Sequence, residues 1–145
     1  MKTYIKMHGL KELEAALLLL KTATAKRIVR RVLLDALIPV RNLAIALAPD
    51  DPATTIDDLN DNILVSGKLN KSQRKQVRNS TKSGVEVYVG ATSRAPQGIF
   101  NEFGTVKMGP QAFMRPAWDA EKYQIMPRVS SALWLEIERI AKRTK

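Results

Sequence analysis

The sequence predicts an α+β fold, in which long N-terminal helices and a C-terminal helix pack on a small antiparallel β-sheet with a long basic loop. Apolar residues recur at three- and four-residue spacing towards both ends of the chain, which is typical of amphipathic helices. A short alternation of apolar and polar residues lies between them and indicates a half-buried strand. The 145 residues show no repeat or linker. We therefore expect a single domain over residues 1–145.

The first third of the chain is expected to form two helices, the second of them interrupted. The first carries a leucine face made of Leu10, Leu13, Leu17 and Leu20. The second begins near Thr22 to Thr24, and its apolar face consists of Ile28, Val32, Ala36, Leu43 and Leu47. Pro39 cannot donate a backbone hydrogen bond, which predicts a kink or break near Ala36 to Ile38. Ala48 precedes Pro49 and so disfavours helical backbone, which ends the helix.

A short helix and a long connection are predicted in the middle of the chain. Thr55 lies three residues before Asp58, which resembles a weak capping box for a helix over Ile56 to Ile63. The basic stretch from Lys68 to Ser83 is rich in serine and asparagine. We expect it to be a long, mobile connection between two strands.

The strands are predicted on either side of that connection. Val85, Val87 and Val89 alternate with Glu86 and Tyr88, which indicates a half-buried strand that ends at the following glycine, Gly90. Ile63 to Val65 is its expected antiparallel partner. After a loop, residues 99–103 fit either a short strand or a turn of helix, and the sequence leaves both open.

The C-terminal part is expected to be helical. Pro116 suits a first helical turn, where its missing donor costs nothing. The apolar face that follows consists of Met126, Val129, Leu133, Ile137 and Ile140. Pro127 lies inside this region, which predicts either a kink or the fresh start of a final helix.

The sequence contains no recognisable catalytic centre, cofactor motif or membrane-spanning segment. It has no cysteine that could act as a nucleophile and a single histidine, His8. Ser66 and Lys68 could be read as a nucleophile and its base, but two such residues lie close together by chance in any basic loop. Asp57, Asp58 and Asp61 are a conceivable magnesium site for a nuclease or toxin, although solvated residues at a helix start are the favoured interpretation. We expect neither an enzyme nor a bound cofactor.

Charge is the strongest compositional signal. The net charge is +10, a balance that favours polyanions such as nucleic acid. Residues 49–67 hold five aspartates and no basic residue, whereas the following segment holds six basic residues and no acid: Lys68, Lys71, Arg74, Lys75, Arg78 and Lys82. The two segments are complementary patches that can pair within the chain or between subunits. The basic residues could instead contact DNA phosphates without base recognition, because no aromatic residue or reading motif accompanies them.

Three short stretches, at residues 88–90, 99–105 and 111–117, together resemble a family of siphophage minor tail components. These are the tail-completion or head–tail joining proteins of phages and prophages. In the family's pattern a strand ends in Val-Gly, a Glu-Phe-Gly-Thr element follows, and a Pro-x-Phe-x-Arg-Pro-Ala element leads into the last helix. This chain departs from the pattern in two places: one extra residue separates Pro110 from Phe113, and the glycine of the family's Thr-Gly-x-Leu element after Ala48-Pro49 is missing. The matching positions here are Glu102, Phe103, Gly104, Thr105, Phe113, Arg115 and Pro116.

The resemblance implies a structural protein of the virion tail or neck, assembled in the host cytoplasm. It implies a homo-oligomeric ring of about six subunits, which closed symmetry builds from heterologous contacts. Its partners would be the tail tube and the head connector, with non-specific contact to phage DNA and none to a membrane. The rival interpretation, which depends on charge alone, is a small basic non-specific DNA-binding protein.

Local physical roles are also predicted for the motif residues. Phe100 and Phe103 are interpreted as apolar anchors, and Gly104 as the residue that permits a positive-φ turn. Phe113, Met114 and Trp118 are expected to pack the start of the last helix on the sheet. We also expect Arg115 to pair with Glu102, so that exchanging the two charges would restore what either single change loses.

Overall fold

The fold is described from a computed structural model, which covers residues 9–18, 20–49, 59–76 and 84–143. Three N-terminal helices, α1 (Leu10–Leu18), α2 (Thr22–Ala36) and α3 (Ile38–Leu47), precede a 3₁₀ turn at Asn60–Asn62 and strand β1 (Ile63–Ser66). A short helix α4 (Lys71–Gln76), strand β2 (Tyr88–Ala91), a short helix α5 (Gln97–Phe103) and a long helix α6 (Met114–Arg143) follow. The α+β prediction is thus confirmed.

Helix α6 organises the packing. It contacts α1, α2 and α3, and α3 also packs on both strands. The buried side chains between these elements include Leu13, Ile28, Val32, Val40, Ile63, Phe113, Val129 and Leu133. Burying each side chain of this size contributes about 1.5–3 kcal/mol. The helices therefore form the main core, and the sheet extends it at one end.

The predicted break in the second helix is confirmed. Helix α2 ends at Ala36 and α3 begins at Ile38, with Pro39 in the first turn of α3. The prediction that Leu43 and Leu47 continue the buried face is wrong for Leu47, which is 45% exposed. Helix α3 instead buries Val40 and Ala44, which continue across the break the four-residue spacing of the buried Ile28, Val32 and Ala36.

The predicted helix over Ile56 to Ile63 is wrong at its end. Among the described residues of this range, 59–63, only residues 60–62 are helical, as a 3₁₀ turn, and Ile63 begins β1. Ile63 is fully buried and pairs with Ala91 of β2, while the Arg41 Nε donates a hydrogen bond of 2.7 Å to its carbonyl oxygen. These distant contacts outweigh the local helical signal. The capping residues Thr55 and Asp58 lie outside the described residues.

The two strands pair antiparallel as predicted, from Ile63 with Ala91 to Ser66 with Tyr88. The predicted start of the second strand at Val85 is wrong, because β2 runs from Tyr88 to Ala91. Strand β1 has only four residues, so it offers no ladder partner to residues 85–87. A sheet of two short strands depends on the helices packed against it for its stability.

The basic connection is not wholly irregular. Residues 71–76 form helix α4, and Asn70 caps it. The Asn70 side chain accepts a hydrogen bond of 2.8 Å from the Gln73 amide, and the Gln73 side chain accepts one of 3.2 Å from the Asn70 amide. This reciprocal capping box explains why so short and basic a segment is helical.

The last two helices cover the two places where the sequence left alternatives open, residues 99–103 and the region of Pro127. Residues 99–103 belong to helix α5 rather than to a strand. Helix α6 is continuous through Pro127, so of the two alternatives given there, a kink or a fresh start, the fresh start of a new helix is wrong. Both Pro127 and Tyr123, whose carbonyl lacks the proline's hydrogen bond, are exposed. Water can therefore solvate that carbonyl and the interruption is tolerated.

Candidate assembly site

The residues of the phage-like motif meet where α5 turns into α6, with Glu102 at the centre. This carboxylate is 6% exposed. It accepts hydrogen bonds from the amides of Phe113 (2.9 Å), Met114 (2.9 Å) and Arg115 (3.2 Å). No serine, threonine, aspartate or asparagine precedes α6 at residues 111–113. Glu102 therefore supplies, from another helix, the cap that α6 lacks locally.

The predicted pairing of Glu102 with Arg115 is present. The Arg115 Nε donates to the Glu102 carboxylate at 2.9 Å, and its Nη2 donates to the Glu102 carbonyl at 2.7 Å. Burial raises the pKa of Glu102, but the backbone amides and Arg115 stabilise the charged form, and the net pKa lies below its ordinary value of 4.5. Glu102 is thus an ionised link between α5 and α6.

Helix α5 turns its small and charged residues inward. Gly98 and Glu102 lie four residues apart on one face and are both buried. A side chain at Gly98 would come within 2.7 Å of the Ala91 Cβ and 3.0 Å of Leu59. Because the inward face is taken by this close approach and by Glu102, the apolar residues of α5 point outward.

The prediction that Phe100 and Phe103 are apolar anchors is therefore wrong. Phe100 is 52% exposed and Phe103 is 68% exposed, and Ile99 beside them is also exposed. The ring of Phe103 is covered on one side by the Arg115 guanidinium, 5.4 Å from the ring centroid, a cation–π contact. Among the described aromatic residues of the motif, Phe113 is the buried anchor, at 1% exposure.

Gly104 and Thr105 shape the loop that follows. Gly104 has φ +75° and ψ 176°, a region that is essentially restricted to glycine. Thr105 and Met108 then pair through their backbones, with Thr105 N to Met108 O at 2.8 Å. The Thr105 hydroxyl accepts hydrogen bonds from the amides of Lys107 and Met108. Val106 and Lys107 are consequently held at the tip of a tight turn.

This loop and helix α5 present a group of apolar side chains to solvent. We call it the apolar knob and define it as Ile99, Phe100, Phe103, Val106 and Met108, all of them exposed. Val106 at the tip is fully exposed. A rigidly held apolar surface of this kind is typical of a protein interaction site. Sequence reasoning missed Val106 and Met108, although two apolar residues in a Gly- and Pro-flanked turn are a usable signal.

A cleft lies next to the knob, between β2 and the first turns of α6. Its volume is about 550 Å³ and most of its lining is apolar: Leu33, Leu37, Val87, Val89, Met114 and Trp118. We call it the α6 cleft. Trp118, expected to pack onto the sheet, is instead 46% exposed at this cleft. Met114 is half-buried there, and Pro116 occupies the exposed first turn of α6 as predicted.

The predicted basic segment is only partly within the described residues. Lys68, Lys71, Arg74 and Lys75 are exposed, on and just before α4, whereas Arg78 and Lys82 lie outside the described ranges. Arg30 of α2 approaches the same place, with its Cδ 3.2 Å from the position of a Cβ on Gly67. The acidic segment contributes one described aspartate, the exposed Asp61.

The residues considered for catalysis do not form a described site. The Ser66 hydroxyl lies 3.1 Å from the backbone carbonyl and amide of Lys68, which is a local turn rather than a side-chain pair. His8, Asp57 and Asp58 lie outside the described residues. Within the described ranges, no group of three potential metal ligands occurs, and no helix has the length and apolar character needed to cross a bilayer.

Comparison of the chain with protein-family models, with curated proteins and with solved structures found no match.

Proposed function

We propose that this chain is a structural virion protein of a tailed bacteriophage, a ring-forming tail-completion component that joins the tail to the head connector. The resemblance of the motif residues gives the class of protein. The observation that carries an assembly role is the apolar knob, because the motif residues hold this surface rigid and leave it uncovered. Glu102 and Gly104 fix its base and Thr105 closes its tip. A protein that acts by docking needs such a surface and no reactive group.

The joining role predicts a specific failure when the gene is disrupted in the phage that carries it. Electron microscopy of the lysate should show filled heads and completed tails that remain separate. Intact particles, whether infectious or not, would contradict the proposal. The experiment tests the function directly, because a protein needed only for DNA handling would leave the two substructures able to join.

The apolar knob predicts which surface residue a plasmid copy of the gene needs in order to restore head–tail joining. A plasmid copy carrying Val106→Asp should fail to restore joining, because it places a charge on a surface that must be desolvated on docking. Val106 is fully exposed, so stability should change by less than about 0.5 kcal/mol. Leu135→Asp is the matched control, since Leu135 is 67% exposed on α6, outside the knob. Equal plaque counts for the two variants would argue against the knob.

Non-specific DNA binding is the second candidate, and the exposed basic residues of the α4 region favour it. If four cations each neutralise one phosphate, the logarithm of the affinity should fall with the logarithm of salt concentration at a slope of about −3.6. That corresponds to a loss of roughly a hundredfold between 50 and 200 mM salt. Fluorescence anisotropy on random-sequence duplex DNA measures both quantities. The four residues to neutralise together are Lys68, Lys71, Arg74 and Lys75.

A charge-matched variant distinguishes a local surface from net charge. The control variant replaces four other cations by glutamine: Lys26, Lys122, Arg139 and Lys142. If the α4 region binds the DNA, this variant should leave the salt slope of the affinity nearly unchanged. An equal loss in both variants would mean that the overall charge attracts DNA and that no particular surface binds it.

A further inference from the structure

The apolar knob and the α6 cleft are complementary in shape and chemistry. The knob projects Val106 and Met108 from a tight turn. The cleft is lined mostly by apolar side chains and its volume of about 550 Å³ is large enough for several of them. The chain does not fill its own cleft with its own knob, because Val106 is fully exposed.

Charge at the two surfaces is complementary as well. Lys107 lies beside Val106 at the tip of the knob and is exposed. The cleft includes Asp119, which pairs with Lys122 at 2.7 Å, and Tyr88 in its lining donates a hydrogen bond to Glu86. Arg115, which also lines the cleft, is already paired with Glu102. In a chain of net charge +10, an edge at which both nearby cations, Arg115 and Lys122, are paired with carboxylates is a local exception that suits the knob's lysine.

We infer that the occupant of the α6 cleft is the apolar knob of a second copy of this chain. The contact joins one patch to a different patch on the neighbour, so it is heterologous and leads to a ring when its rotation closes. Lys107 of one copy then lies near Asp119 of the next. The inference rests on the self-association that the proposed function requires, and it names the surfaces that make the contact.

Cysteine trapping tests this contact without disturbing the fold. The chain has no cysteine of its own, and Lys107 and Asp119 are both exposed. Under mild oxidation, the double variant Lys107→Cys with Asp119→Cys should form a ladder of disulfide-linked trimers and larger species. Each single variant can form no species beyond a dimer. Docking raises the local concentration of the two thiols, so the ladder should grow at least about tenfold faster than for a non-contacting pair.

The non-contacting pair is Lys107→Cys with Glu138→Cys. Glu138 is also exposed on α6, but it lies 19 residues beyond Asp119, about 28 Å along the helix. Adding Val106→Asp to the 107/119 pair should reduce its rate to that of this control. Equal rates for the two pairs, or no effect of Val106→Asp, would overturn the inference. If the gene disruption still separates heads from tails, the joining function survives and only this interface is rejected.

Discussion

Replacing Glu102 with alanine should lower the free energy of unfolding by about 3 kcal/mol, because three helix amides and Arg115 lose a buried charged partner together. For a domain of this size the melting temperature should fall by about 10 °C. Urea unfolding followed by circular dichroism measures the change. Glu138→Ala is the control, since this exposed glutamate should alter stability by less than about 0.5 kcal/mol. A similar small effect at Glu102 would contradict its capping role.

The same carboxylate makes the stability of the protein depend on pH in a defined direction. The pKa of Glu102 is lowered in the folded state, so the unfolded chain binds the proton more readily. Its contribution is fully present above pH 4.5, the ordinary value, and is lost as pH falls through the folded pKa. Glutamine at position 102 cannot titrate. The difference in the free energy of unfolding between Glu102→Gln and the original chain should therefore shrink as pH falls below 4.5.

The structure reverses the expected result of the charge exchange between Glu102 and Arg115. The sequence suggested that the double exchange would restore what single changes lose. Glu102, however, accepts hydrogen bonds from three backbone amides at the start of α6. An arginine there is a donor facing donors, and its positive charge opposes the helix dipole. The double variant should therefore be no more stable than Glu102→Ala.

Local signals in the sequence predicted the elements well. Pro39 placed the break between α2 and α3, and the valine alternation before Gly90 identified the strand that pairs with Ile63 to Val65. Proline and strand alternation act within a few residues, so their effects can be inferred from the chain directly. The same holds for the pairing of Glu102 with Arg115, where opposite charges flank a tight turn.

The errors arose where distant residues decide the outcome. Ile63 was assigned both to the end of a helix and to the start of a strand, and its pairing with Ala91 makes it a strand residue. Phe100 and Phe103 were expected to be buried because they are apolar. They are exposed because the inward face of α5 is occupied by Gly98, which lies close to Ala91, and by the buried Glu102. Neither contact can be inferred from composition or periodicity.

Replacing Gly104 with alanine should destabilise the protein by about 3 kcal/mol, the second large effect that the site predicts. Its backbone, at φ +75° and ψ 176°, is a conformation that costs other residues about 1–3 kcal/mol. An added Cβ would also lie 2.9 Å from both the Met108 carbonyl oxygen and the Pro110 nitrogen. These are backbone atoms, which cannot move aside as a flexible side chain would.

Gly109→Ala is the matched control for this change, because no atom lies within 4 Å of a Cβ at Gly109. It belongs to the same loop, so any effect of composition alone would appear in both variants. Gly104→Ala should also slow the 107/119 disulfide trapping at temperatures where the protein is still folded, because the distorted turn no longer holds Val106 and Lys107 in place. Normal trapping by a destabilised but folded Gly104→Ala would mean that Gly104 serves the fold alone. Loss of trapping in the folded state would show that Gly104 also shapes the docking surface.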